Sequence, residues 1–239
     1  MCRRSASAVV VAGAVAFGSV VARPAADDWS SVREVTIGTA QVLEQGAATV
    51  GLAAPLSVGL TNDLTLHTHP ILDLLLTWNA GVRFRMFERR RWILALAGHG
   101  IVAMYTRGDT EKKAPGQVHP GLTWTWYASD QLALTTTMAY ALHFRTALEH
   151  GMAVAAQVHW LAAPNTLWVA DIYSRWSVAS GELSSTAVDL RWVRALTMLR
   201  RAHVMAGVTV GDRVTGMALE WWDPSGWPLR PSVDLWWRF

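Results

Sequence analysis

The side chains able to do chemistry in this 239-residue chain are mostly histidines, arginines and aspartates, and they recur two residues apart. His143 and His159 are the candidates for a general base. A Ser–His hydrolase needs an activated hydroxyl within reach of such a base; no Gly-x-Ser-x-Gly elbow is present, and no serine can be assigned to either histidine. His67 and His69 share one face of an extended segment, a spacing that can chelate a metal. No third carboxylate, histidine or thiol stands beside them and Pro70 follows at once, so no metal centre is expected. The chain also lacks a Gly-rich phosphate loop, a dinucleotide fingerprint and a basic-aromatic patch, so neither cofactor nor nucleic acid is expected.

The elements that must carry these residues are strands. From Leu72 the even positions read Leu72, Leu74, Leu76, Trp78, Ala80, Val82, Phe84 and Met86, against Asp73, Thr77, Asn79, Arg83 and Arg85 on the odd ones. Side chains on a strand alternate between its faces, whereas a helix of period 3.6 cannot sort them this way. The pattern returns along the chain, setting apolar residues against His143 and Arg145, Gln157 and His159, Asp171 and Arg175, Asp189 and Arg191, and Arg201 and His203. Trp92 to Tyr105, which holds His99, is apolar on both faces but at 14 residues is short for a spanning helix.

Two architectures alternate in this way. A soluble lipocalin-like barrel turns its apolar face inward, and a transmembrane barrel turns it outward to lipid. Only 16% of residues are charged, where a soluble domain carries about 25%. The polar face holds Thr, Ala, Gly, His and single Asp or Arg residues rather than the Lys and Glu of a wetted surface. Trp78, Trp92, Trp124, Trp126, Trp160, Trp168, Trp176 and Trp192 all fall on the apolar face, mostly toward strand ends, where they would form an aromatic belt at the headgroups. The expected fold is therefore an all-β, transmembrane, antiparallel up-and-down barrel in outer-membrane lipid.

The N-terminus has the parts of an export signal: Arg3 and Arg4, an apolar run from Ala8 to Ala22, and small residues at its exit. Residues 1–22 are expected to be removed, with Ala26 as the latest cleavage point. Cys2, the one cysteine, leaves with them. Lys plus Arg then falls from 21 to 19 against 18 acidic residues, a net of +1, so the pI of about 9.4 is partly the precursor's. Residues 27–46 are expected as a periplasmic lead-in and 47–239 as the barrel.

At the C-terminus Val233, Leu235, Trp237 and Phe239 alternate with Ser232, Asp234, Trp236 and Arg238. A last strand of this kind, closed by a terminal Phe, resembles the assembly signal of the Gram-negative outer-membrane β-barrel superfamily. Gly59 to Leu66 is similar to the short periplasmic hairpins of its members. The resemblance implies Sec export, periplasmic chaperones, and insertion by the outer-membrane barrel assembly machinery. It names no transporter or enzyme, and leaves the oligomeric state open.

Turn residues separate ten strands from Leu64 onward. Short breaks fall near Thr61–Asp63, Glu88–Arg91, Ser129–Gln131, Ala163–Thr166 and Leu196–Arg200, and longer ones at Thr106–Pro120, Thr146–Gly151, Ala179–Ser184 and Gly211–Arg230. Ala48 to Leu60 alternates throughout, but Pro55 interrupts it. Two short strands there give twelve, the even number that single-chain barrels favour; ten is the alternative.

The lumen would then hold Asp73, Arg83, Arg85, His99, His143, Arg145, Gln157, His159, Asp171, Arg175, Asp189, Arg191, Arg201, His203, Asp234 and Arg238, seven arginines to four aspartates. These residues would brace the barrel through Arg–Asp pairs, or line a narrow passive channel whose surplus arginine favours anions. A barrel phospholipase is the enzymatic alternative. The loop Arg107–Lys113 reads as solvated, and Trp221–Trp227 as a segment resting on the membrane or capping the pore.

Overall fold

The computed structural model describes residues 29–52, 55–69, 77–103, 116–144, 148–196, 199, 201–211 and 229–239. Twelve strands form one closed barrel: β1 Ala48–Gly51, β2 Leu56–Thr61, β3 Leu64–Thr68, β4 Thr77–Arg89, β5 Trp92–Ala103, β6 Gly116–Tyr127, β7 Leu132–Phe144, β8 Leu148–Ala163, β9 Thr166–Ser177, β10 Leu183–Ala195, β11 Ala202–Gly211 and β12 Leu229–Arg238. Each pairs antiparallel with its sequence neighbours, and Thr49, Val50 and Gly51 of β1 pair with Arg238, Trp237 and Trp236 of β12 to close the sheet. Pro55 divides the alternating stretch 48–60 into β1 and β2 as its missing N–H requires.

The apolar face is outside. Trp78 is 70% exposed and Val233 72%, while Leu167, Val169 and Val193 on the opposite face are fully buried. A soluble lipocalin-like barrel would show the reverse. His99 in β5 points inward with Ile93, Ala95 and Ile101, and Leu96 and Val102 point out, so this strand obeys the same rule.

All four longer stretches expected as loops belong partly to strands: β10 begins at Leu183, inside Ala179–Ser184, and β12 at Leu229, inside Gly211–Arg230. The ladder between β7 and β8 continues through Phe144↔Leu148 and His143↔Glu149, so β8 begins inside Thr146–Gly151. β6 begins at Gly116, inside Thr106–Pro120. Pro120 stands within it on the outer face, paired with Gly98 of β5, while the register to β7 lapses at His119 and Pro120. A proline can occupy a sheet where its absent N–H costs no ladder bond.

Residues 29–46 lie inside the short-turn end. The Trp29 N–H donates to Pro164 O at 2.7 Å and the Val32 N–H to Asp130 O at 2.7 Å, both in turns of that end. A 3-10 turn at Val32–Glu34 follows, capped by Ser31. Trp29, Val32, Val35 and Ala40 pack on Ile93, Tyr127, Leu161, Leu167, Val169 and Trp236 of the inner wall. This half of the lumen is thus a packed apolar core, and the half beyond it is polar.

Candidate functional site

The inner end of the polar half is the tip of the N-terminal segment. The Arg83 guanidinium donates from Nη1 to Thr36 O and to Gln41 O, each at 3.0 Å, and so straps the tip from below and above. His159, wholly buried, places Nε2 3.0 Å from Ile37 O. The Ala40 N–H donates to Thr125 Oγ1 at 2.8 Å, and the Leu43 N–H to Thr65 Oγ1 at 2.8 Å. Gly38 turns the tip at φ +70°, and a Cβ there would lie 2.3 Å from Gln157 Oε1, so both backbone and space demand glycine. These bonds satisfy backbone groups of an irregular segment that would otherwise be buried unpaired.

Beside the tip stands a charged triad. Asp171 of β9 and Asp189 of β10 are direct register partners, and both are buried. Arg191 lies between them, with Nη2 3.3 Å from Asp171 Oδ2 and Nε 2.9 Å from Asp189 Oδ2. Gln157 Nε2 donates to Asp171 Oδ2 at 3.0 Å and Thr209 Oγ1 to Asp189 Oδ1 at 3.2 Å.

Toward the long connections the wall carries imidazoles. His67, Gly81, His99 and His119 are successive register partners across β3, β4, β5 and β6. Gly81 has no side chain because the His67 ring lies where its Cβ would be, 1.9 Å from Nε2, and that ring stacks toward His99 at 5.6 Å with 2° between planes. His119 faces His143 with ring centroids 5.5 Å apart, and Arg175 Nη2 donates to His143 Nε2 at 2.6 Å. His69 and Asn79 cross-bond through main chain and amide. Among the described residues no three His, Asp or Glu converge to hold a metal ion.

The residues expected in the lumen separate into groups. Arg83, Gln157 and His159 meet the segment tip; Asp171, Asp189 and Arg191 form the triad; His99, His143 and Arg175 lie in the imidazole region. Arg85 sits at the short-turn rim, paired with Asp63 at 2.9 Å and Glu88 at 2.5 Å. His203 lies between the rings of Trp29 and Trp236, at 5.0 and 5.2 Å. Asp234 is buried on β12, and Arg238 reaches Glu34 O at 3.5 Å. Arg201 occupies the turn before β11 with φ 65°. Asp73, Arg145, the loop Arg107–Lys113, Trp221–Trp227 and residues 1–22 lie outside the described residues.

His143 and His159, the two candidate bases, lie on adjacent strands but do not approach each other. His159 pairs with Ala133 at one end of β7 and His143 with Glu149 at the other. An antiparallel register fixes this separation, since residues near the connecting turn meet and those far along each strand do not. His119 was missed, because the neighbouring Pro120 and Gly121 read as loop ending; its place two residues from Gln117, on one face, was the available signal.

The outward tryptophans fall at two levels. Trp92 pairs with Trp126, and Trp160, Trp168 and Trp192 align across β8, β9 and β10, all near the short turns, with Trp124 next to them. Trp78 and Trp176 stand near the other rim. Val233, Leu235 and Trp237 share the outer face of β12, and Phe239 follows directly after it.

No protein-family model matches the chain, and neither does any curated protein sequence. Among solved structures it is similar to the KdgM porin in complex with disordered oligogalacturonate, at a TM-score of 0.48 and 8% identity over 81% of this chain and 96% of that one. It is also similar to the NanC porin in its rhombohedral crystal form, at a TM-score of 0.50 and 9% identity over 80% of this chain and 96% of that one. At such identity the likeness is one of fold, and the chain has the closed twelve-stranded architecture of an outer-membrane porin.

Proposed function

We propose that this protein is an outer-membrane channel held closed at its periplasmic end by its own N-terminal segment. The observation that carries this reading is the placement of residues 29–46 inside the short-turn end, beneath a polar lumen. A barrel needed only as a wall has no use for a half-polar interior, whereas a solute path does. Short turns belong to the periplasmic side, and the two tryptophan levels suit the two headgroup regions. The C-terminal strand would be read by the assembly machinery, after Sec export and periplasmic chaperoning. Arg83 and Arg175 are in contact with carbonyl or imidazole groups rather than carboxylates, which favours a slight preference for anions once the path is open.

The test is single-channel recording in planar bilayers. The wild type is expected to be silent or to open rarely. A variant with residues 29–46 replaced by a Gly–Ser chain of equal length is expected to conduct steadily, with more anion than cation current. A folded variant that stays silent would show the barrel to be a structural element rather than a channel.

A further inference from the structure

We infer that Arg175, held by His143, is an anion-binding subsite for a small carboxylate- or phosphate-bearing solute in the outer half of the lumen. The inference rests on the reading of that half as a solute path. Arg175 is half-buried on the inner face of β9, and its bond to His143 is a donation, since a guanidinium has no lone pair to offer. His143 therefore presents a bare Nε2 and stands as the neutral imidazole. The contact spans β8, where Gly151 leaves the crossing clear; a Cβ there would lie 3.2 Å from Arg175 Nε. Neutral Nε2 fixes one edge of the guanidinium without neutralising its charge.

The other arginines of the lumen are engaged differently. Arg191 is paired to two carboxylates, Arg85 to Asp63 and Glu88, and Arg83 is spent on the segment tip. Arg175 makes no ion pair with a carboxylate among the described residues; Asp171, on the same strand, is held by Arg191 and Gln157. His119 and Gln117 stand beside His143, and Glu149 of β8 is its register partner. A planar cation with one edge on His143 and no carboxylate partner among the described residues is suited to a bidentate oxyanion. His143 is a positioning residue and Arg175 the residue in contact with solute.

Citrate titrated calorimetrically into the refolded barrel in detergent tests this, and needs no ion flow, so a silent channel and an absent site are separate results. The wild type should bind citrate, and R175Q should lose at least tenfold in affinity while still migrating as the folded form on an unheated gel. H143Q, whose amide oxygen can accept the same donation, should bind nearly as the wild type, and H143L should bind like R175Q. Wild-type protein that binds no citrate, or R175Q that binds as tightly as wild type, would overturn the proposal. Equal loss in H143Q and H143L would overturn the positioning role.

Discussion

Arg191→Met is expected to lower the stability of the folded barrel by about 3–5 kcal/mol, the cost of leaving buried charge without its partner. Asp171 and Asp189 face each other directly across two strands, and like charges in that relation repel. Both are more than nine-tenths buried, so water cannot screen them, and Arg191 is the cation between them. Gln157 and Thr209 supply one hydrogen bond each but no charge. The measurement is the urea midpoint at which the folded, heat-modifiable form is lost in detergent. The triple variant D171N/D189N/R191M should recover most of the loss, since replacing a whole buried ionic group is often nearly neutral. A single variant as resistant as wild type would mean that the triad carries no such strain.

Arg83→Met should act on the segment and spare the wall. The wall is held by ladder bonds that do not involve this guanidinium, whereas Thr36 O and Gln41 O both depend on it. Both acceptors are only part-buried, so losing their charged donor costs at most about 1–3 kcal/mol apiece. The expected result is rapid proteolysis within residues 29–46 while the folded band persists, together with frequent channel openings. Arg83→Lys should fall between, because an ammonium lacks the planar fork that spans two carbonyls. Unchanged protease resistance would assign the segment's hold to its apolar contacts alone.

The wall was legible because a barrel writes its two faces into every second residue. Trp78, Phe84 and Trp168 declared the outer face and Asp171 and Arg191 the inner one, and Pro55 set the count at twelve. The N-terminal segment was not legible. Trp29, Val32, Val35 and Ile37 follow no period, because an irregular chain buried inside a barrel has no repeating face to obey. Its place is fixed by single side chains, Arg83, Thr125 and His159, that the sequence shows only as polar members of strands. The imidazole row was half legible: His99 and His143 alternate visibly, but His119 hides beside a proline, and the spaces left by Gly81 and Gly151 appear only when neighbouring strands are set in register.

The central claim, that residues 29–46 close the lumen from within, is tested most directly by bridging Ala40→Cys to Thr125→Cys, whose native backbone N–H and hydroxyl lie 2.8 Å apart. The oxidised double variant should form the bond quantitatively in the folded barrel and be electrically silent, and reduction should restore the rare openings of the wild type. A bridge that fails to form, or a bridged barrel that conducts as freely as the Gly–Ser replacement, would contradict it.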